Sequence, residues 1–338
     1  MKLGLGLVMT SLCIVANAAD KTEWELWLPK SPVRAVFVAP RWGDGAHMVK
    51  IVQKNLGEKL GVATMLTRAD ALTFKEPHFF PSITNTMAMA AVEHKRPELA
   101  GAPLLLWSHS NSAAYIHRCL KEIPERIIAY CLFKPAFGSN TDVGTGNAID
   151  TPGYGFVSHE LPEKDLKQMS KAAKEAFGVC IWDMNDRINS PGYNQDHERN
   201  SMLKNMANAR KQGALVHVTL VRGTHHMIDG QQDLMMAFFE TAMAMRLPQS
   251  SKLATGPVKL IAGLERKSAI QDLESKKVYT YLDYPENEQR EGWWLPSWKY
   301  AATWNDYALN AKGEIIEPKK TTMTTKGGSL PRLSTRKR

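Results

Sequence analysis

The chain is poor in cysteine, which limits the disulfide chemistry open to it. It has four cysteines in 338 residues, and three of them, Cys119, Cys131 and Cys180, lie outside the N-terminal segment. An odd number argues against a disulfide framework. Cys131 and Cys180 fall in neighbouring predicted strands, which favours buried thiols and leaves a bridge open in an oxidising compartment.

Acidic residues are missing from the C-terminal end of the chain. Residues 318–338 contain seven Lys and Arg and no Asp or Glu, and without these charges and Lys2 the net charge falls from +9 to +1. The overall basicity therefore gives no indication of nucleic-acid binding. A basic segment rich in Thr, Ser and Gly predicts a disordered, solvated tail over residues 317–338, with contact to an anionic surface or polymer as the alternative.

The N-terminal apolar run is too short to span a membrane. Basic Met1-Lys2 precedes an apolar stretch over residues 3–15, and Ala16-Asn17-Ala18 forms an A-x-A cleavage site. This pattern is typical of a signal peptide over residues 1–18, cleaved after Ala18. Leu12 stands where lipoprotein processing at Cys13 would need a small residue. We therefore expect a secreted or periplasmic protein without a membrane anchor.

Strands and helices alternate between residues 33 and 248, which predicts a mostly parallel sheet covered by helices on both faces. With 43% hydrophobic residues, the chain can fill such a core. The predicted strands are 35–38, 62–66, one from 104, 127–133, 177–182 and 215–221. The predicted helices are 48–60, which Gly61 would terminate, 84–94, one from Ser110 to about 121, 163–177 and 233–245.

The character of the chain changes after Pro248. Residues 250–257 read as a linker, and 258–261 and 277–281 alternate like antiparallel strands. Six aromatic residues follow closely: Trp293, Trp294, Trp298, Tyr300, Trp304 and Tyr307. We predict a small β-rich appendage over residues 249–316, in which the aromatic residues build the core, with stacking on sugar rings as the alternative.

Ser110 lies between an apolar run and a helical pattern, with Ser108 and Ser112 two positions away on either side. A strand that turns sharply into a helix exposes the side chain at its apex only if the neighbours are small. The nucleophile elbow requires this geometry. Its usual pattern is G-x-S-x-G, and this chain has S-x-S-x-S. A serine hydroxyl in this position needs a base to remove its proton. A plain helix N-cap is the alternative interpretation of Ser110.

An acid and a base follow in the order that the elbow requires. Asp183 and Asp186 follow the predicted strand 177–182, and His225 and His226 follow the strand 215–221. With the order Ser, Asp, His, the chain resembles the α/β-hydrolase superfamily of serine esterases over residues 30 to 248. The resemblance implies a hydrolase domain over residues 19–248.

The resemblance also implies a role for each residue. Asp186, last in a turn like G-E-x-D, corresponds to the catalytic acid, and Asp183 is the alternative. His226, three residues after Gly223, corresponds to the base, and His225 is the alternative if the loop is shifted by one residue. Adjacent histidines point in different directions and no further ligands lie at helical spacing, so we predict no metal and no cofactor.

Backbone N–H groups are needed to stabilise an oxyanion. By resemblance these belong to Asn111 and to the loop after the strand 35–38, where Pro40 has no N–H, Arg41 is the main candidate and Trp42 the next. The Arg41 side chain can bind a substrate carboxylate or form a surface salt bridge. The chain departs from the family in its elbow serines and in lacking His-Gly in this loop, which leaves the substrate class open.

The resulting hypothesis is a secreted serine hydrolase that cleaves carboxylic esters of small molecules or polymers through an acyl-enzyme. Residues 138–160, where lids are inserted in this fold, are expected to shape the pocket. One alternative is a peptidase or amidase of the same fold. Another is a non-catalytic polysaccharide-binding protein that uses the C-terminal aromatic residues. Nothing in the sequence indicates a nucleic-acid partner.

Overall fold

A seven-stranded sheet forms the centre of the structure, a computed structural model that describes residues 24–40, 44–67, 79–135, 169–185, 195–223, 228, 230–249 and 256–311. The strand order is β1-β3-β2-β4-β5-β6-β7, and every neighbouring pair is parallel except the antiparallel pair β1 and β3. The strands are β1 (Trp24–Trp27), β2 (Ala35–Pro40), β3 (Val62–Thr67), β4 (Leu104–His109), β5 (Ile127–Phe133), β6 (Phe177–Asp183) and β7 (Val216–Val221). The predicted fold class is confirmed.

Helices cover both faces of this sheet. They are α1 (Gly45–Val52), α2 (Glu58–Leu60), α3 (Phe79–Glu93), α4 (Glu98–Gly101), α5 (Ala113–Glu122), α6 (Lys171–Glu175), α7 (Gln195–Lys211) and α8 (Gln232–Arg246). A π-helical turn, Gln53–Gly57, joins α1 to α2. Gly61 ends α2 with a φ of 71°, as predicted, because a left-handed residue at this position favours glycine.

The parallel strands are buried on both faces, which explains their nearly continuous apolar sequences. Along β2, Val36 and Val38 belong to one hydrophobic cluster, whereas Ala35 and Phe37 belong to the other. The same alternation separates the two central cysteines, because Cys131 and Cys180 lie in different clusters. Cys119, Cys131 and Cys180 are all buried free thiols, so the interpretation as thiols is confirmed.

The strands β2 to β7 all end at one edge of the sheet, which we call the carboxyl edge. β2 and β4 pair only as far as Val38 and Leu106 and separate beyond them. The Tyr115 hydroxyl fills the gap: it accepts a hydrogen bond from the Trp107 N–H (3.0 Å) and lies 2.9 Å from the Val38 carbonyl oxygen. Strand order reverses here, and crevices for ligands form at such points in open α/β sheets.

A second sheet follows in the C-terminal part, with the antiparallel order β10-β8-β9. Its strands are β8 (Ala269–Gln271), β9 (Val278–Thr280) and β10 (Trp293–Leu295), and helix α9 (Trp298–Tyr307) comes after them. The predicted strand over residues 258–261 is wrong. The N–H groups of Val258 and Ile261 donate to carbonyl oxygens of Gly101 and Arg246 in the helical layer, so no neighbouring strand pairs with them.

Aromatic residues of this part pack onto strands β6 and β7. Trp304 Nε1 donates to Thr219 Oγ1 (2.8 Å), and the Tyr300 hydroxyl lies 2.9 Å from His217 Nε2. Trp294 packs edge-on against Phe177, with 4.5 Å between ring centroids. Trp293, Trp294, Tyr300 and Trp304 are all buried. These four rings therefore form core rather than a face for sugars.

The Asn310 amide covers the free edge of β7. Its Oδ1 accepts from the Leu220 N–H (2.9 Å), and its Nδ2 donates to the Val218 carbonyl (3.0 Å). One side chain thus makes the two bonds that another strand would make.

The predicted signal peptide and basic tail lie outside the described residues, as do the linker residues 250–255 and the segment 138–160. The division into domains and the secretion of the protein stay predictions. In the part of the chain that is described, no helix combines the length and apolarity that crossing a bilayer requires.

Burial of His217 predicts a loss of stability in acid. Burial lowers the pKa of His217 to about 3, and the same effect lowers the pKa of His117 to about 3. The unfolded chain takes up a proton near pH 6.5 and the folded chain does not, so stability is complete above pH 6.5 and falls as the pH drops towards 3. We expect the burial of each histidine to lower the free energy of unfolding by about 2 kcal/mol between pH 7 and pH 5.

Urea unfolding at both pH values checks this prediction. His217→Gln keeps a hydrogen-bonding partner for Tyr300 and does not titrate, so between pH 7 and pH 5 it should lose about 2 kcal/mol less stability than the wild type. His94→Gln, at an exposed position, is the control and should lose as much as the wild type. An equal loss in His217→Gln would contradict the prediction.

Candidate active site

Ser110 stands at the carboxyl edge with a strained backbone. It follows β4 directly, begins the 3-10 turn Ser110–Ser112 that leads into α5, and has a φ of 55°. For a residue with a Cβ, this left-handed conformation costs about 1–2 kcal/mol. Such strain persists only where the surroundings enforce it, and it clusters at functional sites. The strand, sharp turn and helix predicted around Ser110 are therefore present at the position where β2 and β4 separate.

The serines that replace the usual elbow glycines have structural roles. The Ser112 hydroxyl accepts from the His109 N–H (2.9 Å) and donates to the His109 carbonyl (2.6 Å), which closes the turn. Ser108 is fully buried, and its hydroxyl lies 3.5 Å from the Cys131 carbonyl oxygen of β5. Serine at these two positions is therefore compatible with the tight turn. Ser110 itself is 8% exposed.

Of the predicted oxyanion donors, Asn111 lies within the described residues and Arg41 and Trp42 do not. The backbone of Asn111 lies in the 3-10 turn, directly after Ser110. Arg41 and the alternative Trp42 lie outside the described residues, in the segment 41–43 that follows Pro40 at the end of β2. Since β2 and β4 are adjacent and parallel, Pro40 lies at the same edge of the sheet as Ser110.

The predicted acid and base also lie outside the described residues. This applies to Asp186 and to both His225 and His226. Their flanking residues are described: β6 ends at Asp183, and β7 is followed by Gly223. All these strands end at the carboxyl edge, so the segments that carry the predicted triad begin on the same side of the sheet.

Asp183, the alternative acid, is completely buried and holds the ends of two strands together. Its Oδ1 accepts from the N–H groups of Asn185 (2.8 Å) and Gly223 (2.9 Å), and Lys134 Nζ lies 3.0 Å from its Oδ2. Asn185 Nδ2 in turn donates to the Gly223 carbonyl (3.0 Å). A Cβ on Gly223 would lie 2.0 Å from Asp183 Oδ2, so only glycine fits there. Both oxygens of Asp183 are thus already engaged.

Lys134 was not predicted as a site residue. It is buried, follows β5 directly and has a φ of 42°. A charged residue at the end of an apolar strand, with an opposite charge at the end of the next strand, is a signal that would have identified the pair.

Asp44 is a second buried residue that the sequence did not reveal. Its N–H donates to His109 Nδ1 (3.4 Å), and its Oδ2 accepts from the Ile228 N–H (2.5 Å). Asp at the start of a helix normally indicates an N-cap, yet its side chain makes no capping bond to α1. No local pattern distinguishes such a residue from an ordinary cap.

Comparisons with known proteins find similarity to solved structures alone. No family model matches the chain, and no curated protein matches it. It is similar to the solved structures of esterase PE8 (12% identity, 64% of this chain and 97% of that one, TM-score 0.42) and of the Bacillus cereus carboxylesterase (12% identity, 66% and 96%, TM-score 0.43). It is also similar to Est1E from Butyrivibrio proteoclasticus (14% identity, 65% and 94%, TM-score 0.40). The α/β-hydrolase fold itself is recognised from the strand order and the elbow.

The strain at Ser110 predicts an unusual order of stabilities. Because glycine adopts a positive φ freely, Ser110→Gly should be more stable than Ser110→Ala by about 1 kcal/mol. Ala113 has an ordinary helical φ of −54°, so Ala113→Gly should instead lose stability relative to the wild type. Urea unfolding of the variants measures both differences in the free energy of unfolding. If Ser110→Gly is less stable than Ser110→Ala, the backbone at Ser110 is not strained.

Removing Lys134 should destabilise the protein strongly. Lys134→Met leaves the Asp183 carboxylate buried without its cation, which typically costs about 3–5 kcal/mol. Lys134→Met combined with Asp183→Asn should recover part of this loss, because the amide oxygen still accepts from Gly223. The control is Lys59→Met, which breaks the exposed pair with Glu240 (2.7 Å) and should cost less than about 1 kcal/mol. Similar losses for the two single variants in urea unfolding would refute the prediction.

Proposed function

We propose that the protein is a serine hydrolase and that Ser110 is its nucleophile. The observation that carries the proposal is the φ of 55° at Ser110, directly after a central parallel strand and at the reversal of strand order. A helix N-cap has no need of this conformation, since cap residues normally adopt extended backbone. A nucleophile elbow requires a sharp turn that lifts one side chain out of the sheet.

The proposed reaction is acyl transfer through a covalent intermediate. His226 takes the proton of Ser110 Oγ, and Oγ bonds to the substrate carbonyl carbon while the N–H groups of Asn111 and Arg41 stabilise the oxyanion. The bond to the alcohol oxygen then breaks, and His226 returns the proton to the leaving alcohol. Water repeats the sequence and releases the acid. Asp186 holds the histidine tautomer and stabilises the imidazolium.

Asp186 is preferred to Asp183 in this scheme because of what surrounds Asp183. Both oxygens of that carboxylate already face backbone N–H groups or Lys134, so little capacity remains to orient a histidine. The alternatives His226 and His225 are distinguished by substitution. Replacing the true base should abolish acylation, whereas replacing its neighbour should reduce it much less. Arg41 and Trp42, which would act through backbone N–H groups, are distinguished by replacement with proline.

We further propose carboxylic esters as the substrates, encountered after secretion. An amidase or peptidase of the same fold would use the same residues, and comparison of matched ester and anilide substrates separates the two activities. The non-catalytic polysaccharide-binding alternative is less well supported, because Trp294 and Trp304, two of its expected contact residues, are completely buried.

Labelling with a fluorophosphonate tests the nucleophile. We expect the wild type to be labelled on one serine and Ser110→Ala to give no labelling, because only an activated hydroxyl attacks phosphorus at neutral pH. Ser170→Ala is the control, since the Ser170 side chain caps α6 by accepting from the Ala173 N–H (3.1 Å), and it should be labelled like the wild type. A folded wild type that resists labelling, or labelling that persists in Ser110→Ala, would reject the proposal.

A further inference from the structure

We infer that Asp44 is a positioning residue that fixes the histidine-bearing loop against the nucleophile elbow. The inference rests on the proposed function, because it assigns Asp44 a part in activating Ser110. Asp44 would act through other residues and would not touch the substrate.

The contacts of Asp44 join three segments that each carry a predicted site residue. Asp44 directly follows the segment 41–43, which holds Arg41. Its N–H donates to His109 Nδ1, in the residue before Ser110, over 3.4 Å. Its Oδ2 accepts from the N–H of Ile228, two residues after His226, over 2.5 Å. One residue thus connects described residues that flank the predicted nucleophile, base and oxyanion donor.

The carboxylate of Asp44 bonds to Ile228 and does not cap helix α1, which begins at the next residue. Asp44 precedes α1 at the position where aspartate usually caps, yet it makes no side-chain bond to the first turn of α1. It is 7% exposed, so its bond to Ile228 is a charge-assisted bond largely removed from water. Such bonds hold loop geometry more firmly than neutral surface bonds do.

The two contacts of Asp44 can be separated by substitution. The bond to His109 comes from the backbone N–H and survives any replacement except proline. The bond to Ile228 comes from the side chain and is lost in Asp44→Ala. Asp44→Asn keeps an oxygen that accepts from Ile228, whereas Asp44→Ser caps α1 well but is too short to reach Ile228.

The experiment measures labelling kinetics of the full chain over a range of fluorophosphonate concentrations. In Asp44→Ala and Asp44→Ser, we expect the limiting rate of labelling to fall by about 10- to 100-fold, because small displacements of a base are costly. The half-saturating concentration should change by less than about 3-fold, and Asp44→Asn should recover a rate within about 3-fold of the wild type. If Asp44→Ala does not fold, Asp44→Ser still tests the loss of the side-chain bond to Ile228.

A merely structural role predicts a different outcome. Asp272→Ala is the matched control, since Asp272 accepts from the Ser275 N–H (2.6 Å) and from the Tyr284 hydroxyl (2.6 Å) in a turn after β8. It should lower stability and leave the limiting rate unchanged. Hydrogen exchange of the Ile228 amide should become faster in Asp44→Ala and Asp44→Ser but not in Asp272→Ala.

The outcomes separate this inference from the proposed function. Labelling at Ser110 that slows in Asp44→Ser and recovers in Asp44→Asn supports both. Labelling at Ser110 that proceeds at the wild-type rate in Asp44→Ser, or that stays slow in Asp44→Asn, overturns the positioning role and leaves the nucleophile intact. A wild type that is not labelled overturns both.

Discussion

The left-handed turn at Ser110 is the constraint on which the rest of the candidate site depends. A serine in this conformation is unfavourable by itself, so its neighbours must hold it in place. β4 is paired on both sides, the Ser112 hydroxyl closes the turn onto His109, and Tyr115 of α5 fastens the helix back to β2 and β4. The hydrogen bonds and the buried residues of the central sheet therefore compensate for the unfavourable backbone conformation of Ser110.

Buried charged residues also connect the strand ends at the carboxyl edge of the sheet. Asp183 and Lys134 connect the ends of β5 and β6 to Gly223 after β7, and Asp44 connects the elbow to Ile228. Buried ions are expensive unless they are paired or hydrogen-bonded, so each of these groups tolerates only a narrow range of positions. Described residues that flank the segments proposed to react are thus attached to the sheet at defined points.

Much of the sheet was predictable because buried parallel strands have continuous apolar sequences, and Ser110 was predictable because the elbow has its own pattern. Strand β1 was missed because four residues, three of them only partly buried or exposed, give almost no periodic signal. Helix α7 was missed because it is polar overall, although its buried residues recur every four positions at Met202, Met206 and Arg210. Asp44 could not be assigned, since its partners His109 and Ile228 are distant in sequence and become neighbours only in the folded sheet.

The amide of Asn310 has a consequence for how copies of this chain can meet. A sheet edge with open N–H and carbonyl groups is a template onto which another molecule can add a strand, and natural proteins block such edges. On the β7 side, Asn310 occupies the Leu220 N–H and the Val218 carbonyl. Among the described strands of the main sheet, β7 is an outermost strand, and a strand from a second molecule would find these two groups already bonded.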